Sequence, residues 1–187
     1  MKKFLTLACA CLAAAAVPVV ASARTTHHHH RNQTVTRYRS ILDREYLTNS
    51  LQGDQFEIQG ARIALGRSSS PSVDQLANRL IADHTRSYHQ TAPLTRTLGM
   101  SAPTSPDSDQ RRELAVLSSV PASSFNYVYP SIEIADHAQD IRLAQGEAIA
   151  GAIRSVRNNA RAELPTLRQH LALSIWALAS NASTQGR

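Results

Sequence analysis

The sequence predicts an all-α domain behind a cleavable leader: four long helices in an up-down four-helix bundle, with one short connector helix. Three observations predict it. Apolar residues recur at helical spacing in four long segments, prolines and glycines punctuate or separate those segments, and no stretch alternates like a strand. Each segment carries one apolar stripe, and four such stripes are buried by facing a common axis.

The leader comes first. Met1-Lys2-Lys3 is followed by an apolar run from Phe4 to Val20 and then by Ala21-Ser22-Ala23. Charged, apolar and small residues in that order make 1–23 a signal peptide, cleaved near Ala23, so the mature chain is expected in the periplasm or secreted. The run contains Pro18 and many alanines and falls short of the roughly 20 strongly apolar residues of a comfortable span, so no integral membrane span is expected after cleavage. A retained anchor is the alternative. Lipid attachment at Cys9 is another, but Thr6-Leu7-Ala8 fits a lipidation box poorly.

Both cysteines, Cys9 and Cys11, lie in the leader, so the mature chain has no disulfide, thiolate metal site or cysteine nucleophile. Lys2 and Lys3 lie there too, and their loss takes the net charge from +6 to +4. The remaining arginines are scattered among acids with no basic block, so nucleic acid is not an expected partner.

Residues 24–39 are polar, contain His27-His28-His29-His30 and show no apolar period, which reads as a flexible arm. The histidine run either chelates a transition metal weakly or is a low-complexity accident. The bundle domain follows over 40–180. Its first helix runs from Asp43 through Leu47, Leu51, Phe56 and Ile58 to Leu65, where Gly66 to Pro71 break it. A second starts near Ser72 with Val73, Leu76, Leu80, Ile81 and His84 on one side; Pro93 should kink it and Gly99 stop it.

A loop from Ser101 to Ser108 leads to the connector helix, marked by Leu114, Leu117 and Val120 and ended at Pro121. The next long helix spans about Asn126 to Ala152, with Pro130 in its opening turn and a stripe of Ile134, His137, Ile141, Ala144, Ala148 and Ile149. The last runs from about Ser155 to Ala179, with Val156, Leu164, Leu167, Leu171 and Ile175 inward and a kink at Pro165. A disordered tail is expected at 181–187.

Beyond the arm there are four histidines, and three sit among apolar neighbours on three different helices: His84, His137 and His170. The remaining long helix offers Glu57 between Phe56 and Ile58. One ligand-type side chain per helix, aimed at one axis, is how a bundle builds an internal metal site. Imidazole with carboxylate suits iron, zinc, manganese or copper. Glu133 shares a face with His137, and Glu163 lies seven residues before His170. Asp83 and Asp136 each precede a histidine directly and point about 100° away from it, which disfavours them as ligands of the same ion.

The bland reading stands beside this one. The three histidines can be packed, hydrogen-bonded core residues, Glu57 a solvated position, and Asp83 and Asp136 surface partners of arginines. His89 is expected to be exposed. Phe125, Tyr127, Tyr129 and Trp176 read as packing. No Gly-x-Ser-x-Gly turn supports nucleophilic hydrolysis, and no residue set here identifies a reaction.

Phe56-Glu57-Ile58-Gln59, Ala82-Asp83-His84-Thr85, Phe125-Asn126-Tyr127-Val128-Tyr129 with Asp136-His137, and Leu164-Pro165-Thr166-Leu167-Arg168-Gln169-His170-Leu171, in that order, resemble the domain-of-unknown-function 4142 family of bacteria. The resemblance covers roughly Asp43 to Leu178. It implies a ferritin-like four-helix bundle and export, and it places Glu57, His84, His137 and His170 at the family's acidic and histidine positions. The label of outer-membrane protein sometimes given to the family finds no barrel-like alternation here. Ferritin-like iron enzymes repeat Glu-x-x-His, whereas Ile81, Ile134 and Leu167 stand three residues before the histidines here, which argues against the usual dinuclear iron oxidase. Two functions stay open: an exported bundle binding a metal ion on these four residues, or a non-enzymatic envelope or stress-related interaction protein without one.

Overall fold

A computed structural model of the protein describes residues 23–185, and among them all regular structure is helical, with no strand. The signal peptide expected at 1–23 lies, but for its last residue, outside the described residues. The chain divides into two compact units, Met1–Thr34 and Val35–Arg187. Of the first, residues 23–34 are described, and their backbone is helical.

The elements are α1 (Ala23–Arg67), α2 (Pro71–Thr91), a 3-10 segment (Ala92–Leu98), α3 (Ser108–Ser119), α4 (Ala122–Ala150) and α5 (Arg154–Gln185). Two extend beyond expectation. Residues 24–39, expected as a flexible arm, are helical, because no glycine or proline from Arg24 to Gln52 stops helix from propagating through them. The tail expected from 181 is likewise helical as far as Gln185.

Proline and glycine set most of the other ends. Pro71 opens α2, where its missing N–H costs nothing. Pro93 does not kink one long helix; the α-helix stops at Thr91 and tightens into 3-10 turns that end at Gly99, whose left-handed φ of 63° suits glycine. Asp107 caps α3 by accepting from the N–H groups of Asp109 and Gln110, and the Gln110 side chain accepts from the Asp107 N–H. Because α4 starts at Ala122, Pro130 lies in its interior and not in its opening turn.

The stripes of α4 and α5 match expectation in part: His137, Ala144, Ala148, Val156 and Leu167 are buried, and the neighbouring positions differ. Ile149 and Ile175, expected inward, are exposed, and α4 also buries Phe125, Tyr129, Glu133 and Glu147, which the expected stripe left out. On α5 the buried positions are Val156, Ala160, Leu167, His170, Ser174, Ala177 and Asn181. Two apolar clusters result. One joins Leu76 and Leu80 to Phe125, Tyr129 and Ala177; the other joins Tyr46 and Leu47 to Ala144, Val156 and Leu167. Read along each helix, Asp54, Glu57, Asp83, His84, Glu133, His137 and His170 lie between the two clusters, forming a polar layer across the middle of the core.

One long-range tie closes the α4–α5 connection. Asp43 of α1, fully buried, accepts from the N–H groups of Ala152 and Ile153 at 3.1 and 2.9 Å, satisfying donors ahead of α5 that have no helical partner. Asp43→Ala is expected to lower stability by about 1–2 kcal/mol in urea unfolding, the range of a lost N-cap. A loss below the error of extrapolation would show the tie to be incidental.

Candidate metal centre

His84 on α2, His137 on α4 and His170 on α5 come together in the polar layer, all three essentially buried. Their rings lie 5.1 to 5.7 Å apart between centroids. One nitrogen from each falls within 4.8 Å of the other two.

The opposite nitrogen of each ring is tied to an oxygen. His84 Nδ1 lies 2.8 Å from Asp54 Oδ1, His137 Nδ1 lies 2.8 Å from the Glu133 carbonyl, and His170 Nε2 lies 2.9 Å from Asp83 Oδ2. A carbonyl or carboxylate oxygen only accepts, so each of these ring nitrogens must carry the hydrogen. In neutral rings the remaining three nitrogens are therefore bare lone pairs. His137 Nε2 and His170 Nδ1 then face each other at 3.1 Å, and His84 Nε2, buried, has no partner at all. Facing lone pairs repel unless a cation lies between them. Two nitrogens bound to one zinc-like ion at roughly 2.0–2.1 Å and tetrahedral angles sit about 3.3 Å apart, close to the spacing found. Outer hydrogen bonds of this kind are also how proteins orient imidazoles toward a metal.

The electrostatics agree. Burial works against a charged His84, yet its bond to Asp54, with Asp140 and Glu133 nearby, outweighs that and raises its pKa. Burial and the other two rings hold His137 well below the usual histidine value, and burial with His84 brings His170 down to about 4. Asp83 falls to about 2: burial opposes its charge, but His170 and Arg79 prevail. Two of the three rings thus resist protonation and keep a bare nitrogen, while His84, which favours the charged form, gives up the hydrogen on Nε2 when it binds a metal.

Glu57 is not a solvated position, being fully buried, and it meets the imidazole group only at the outer side of His137. Its Oε1 is 3.5 Å from His137 Nδ1, the nitrogen turned away from the triad, and it gathers instead with Glu133, and with Asp136 and Asp140. Burial first, then Glu133 and Asp136, push its pKa well above the carboxylate range. Glu133 is raised to about 7 by burial. His89 is exposed, as expected.

Sequence reasoning missed Asp54 and misjudged Asp83. Asp83 does pair with Arg79 and Arg86, but it is buried and supports His170 of another helix. Asp54 lies three residues before Glu57, so the face of α1 carried the signal; for Asp83 no local signal existed. Asp83→Ala is expected to weaken metal binding by about 10–100-fold, the usual cost of removing a ligand's support. Equal affinity by isothermal titration would remove Asp83 from the site. A cavity of about 20 Å³, room for a single water, touches His84 and His170 and is lined also by Asp54, Asp83, Asp140 and Glu163.

Fold and site together define an all-helical protein with a buried histidine and carboxylate layer. The chain belongs to the family described as Domain of unknown function (DUF4142), which matches residues 25–174. No curated protein and no solved structure matches it. The family description carries no reaction, so function rests on the site.

Proposed function

We propose that this protein is an exported, ferritin-like up-down four-helix bundle that holds one transition-metal ion on His84, His137 and His170. The observation carrying this reading is the convergence of three inward nitrogens whose outer nitrogens are all tied to oxygen. Three nitrogen donors without sulfur suit zinc, copper, iron or manganese. Such an ion supplies Lewis acidity, or redox chemistry where the metal permits it, at a position open to a water-sized ligand. The chain's own part is to fix the rings through Asp54, Asp83 and the Glu133 carbonyl, and to exclude bulk solvent. Glu57, the fourth ligand suggested by sequence, acts from the adjoining acidic group.

Export rests on the order of charged, apolar and small residues in 1–23. Expressed with its leader, the protein is expected in the periplasmic or extracellular fraction with Arg24 as its first residue by mass spectrometry. An intact Met1 in the cytosol would refute export. No helix of the described residues is long and apolar enough to cross a membrane.

The metal reading is tested by elemental analysis of the mature chain with His27 to His30 replaced by glutamine, which removes adventitious chelation. About one ion per chain is expected. Its absence after supplying zinc, copper, iron and manganese in turn would leave the non-enzymatic interaction protein as the better account.

A further inference from the structure

Beside the triad, α1 and α4 bring four carboxylates together. Glu133, Asp136 and Asp140 lie on one side of α4, and Glu57 meets them from α1. Oxygens of Glu57, Asp136 and Asp140 lie within 4.8 Å of one another, and Glu57 is as close to Glu133. Oxygens bound to a single ion at 2.0–2.6 Å span at most about 4–5 Å, so the grouping is of the right size.

What marks this cluster is its lack of partners. Both oxygens of Glu57, with Glu133 Oε2 and Asp136 Oδ2, are buried and accept no hydrogen bond. Among the described residues, arginine ion pairs go to Asp83 and Asp109, and none reaches this group. His137 Nδ1 lies 3.5 Å from Glu57 and 3.7 Å from Glu133, but its hydrogen goes to the Glu133 carbonyl. Tyr129, fully buried beside Glu133 and Glu57, brings its hydroxyl to the Glu133 carboxylate, which leaves both Glu57 oxygens without a donor. Buried carboxylates without donors cost several kcal/mol each unless a proton or a cation neutralises them. A shared proton can settle one pair; four gathered acids, three of them with buried oxygens that accept no hydrogen bond, suit an ion better.

We propose that Glu57, Glu133, Asp136 and Asp140 form a second cation site, separate from the imidazole triad, that takes a hard, oxygen-preferring divalent ion. All-carboxylate surroundings favour manganese or magnesium over the ions that imidazoles prefer. Asp136 and Asp140, only partly buried, are the side from which the ion enters. The site does not depend on the triad being filled.

The mature chain, saturated with Zn²⁺, is titrated with Mn²⁺ while paramagnetic resonance follows the free ion. One Mn²⁺ per chain is expected. Glu57→Gln and Asp140→Asn should each weaken it by more than roughly 100-fold, exceeding the loss from a supporting residue, while Zn²⁺ stoichiometry holds. Asp140→Asn, at the partly exposed edge, keeps the test open if Glu57→Gln fails to fold. In His170→Gln, Zn²⁺ is lost and Mn²⁺ stays. No Mn²⁺ uptake, uptake unchanged in both carboxylate variants, or loss of Mn²⁺ in His170→Gln would each overturn the second site. Should the triad bind no Zn²⁺, the Mn²⁺ arms on the metal-free chain still decide this one.

Discussion

Replacing His137 with alanine is expected to bring bound transition metal from about one ion per chain to near zero. His137 stands in the middle of the layer: its Nε2 faces His170, and its Nδ1 side adjoins Glu57 and Glu133. Alanine removes one of three donors and opens a cavity in a buried position. The two consequences separate in melting curves. The cavity lowers the melting temperature with or without metal, whereas metal at 100 times its Kd stabilises the parent protein by about 2.7 kcal/mol and should do nothing for the variant. If the variant keeps both its metal and its metal-dependent shift, the three imidazoles are packing residues and no more.

The metal-free protein is expected to lose stability as pH rises from about 6.5 to 8, by roughly 2 kcal/mol at one extra proton retained in the fold. Unfolded glutamates shed their protons near 4.5, but in the fold burial raises Glu133 to about 7 and burial with Asp43 raises Glu147 to about 8. Burial and neighbouring acids raise both Glu57, fully buried, and Asp140, partly buried, well above their usual values. The native chain thus holds protons in this window that the unfolded chain has released, and stability must fall with rising pH. His84, raised by Asp54 against the cost of burial, acts in the same sense. His137 and His170, lowered chiefly by burial, act in the opposite sense, and only below about 6.5. Glu147→Gln should flatten the slope by up to one proton. Urea unfolding at several pH values checks this, and a flat or rising parent profile contradicts it.

The breaks between helices followed from proline and glycine, since these act within a few residues of themselves, whereas the outer ends of α1 and α5 did not. The α4 stripe shows where such reasoning stops. Ile134 and Ile141 are the more apolar choice for an inward face, and a reading by hydropathy selects them. Packing instead turns Glu133 and Tyr129 inward, so that a buried carboxylate takes the place sequence gave to an isoleucine. A polar layer in a core breaks the rule by which inward faces are recognised. Asp54, Asp140 and Glu147 went unnoticed for that reason, although Glu133, His137, Asp140, Ala144 and Glu147 recur at alternating steps of four and three. Asp83 was set aside because it points away from His84, its neighbour on the same helix, yet its acceptor role is toward His170, 87 positions on.

The amino-acid order by itself determined the all-helical class, the confinement of both cysteines to positions 9 and 11, and the three histidines worth following. Only the tertiary structure decided that those imidazoles meet, that Glu57 lies beside other acids and the outer nitrogen of His137, and that an aspartate from α1 closes the α4–α5 connection. Helix formation is settled by neighbours along the chain. The rotation of one helix against another is settled by contacts between residues far apart in it, and a single residue of rotation turns a surface acid into a core one.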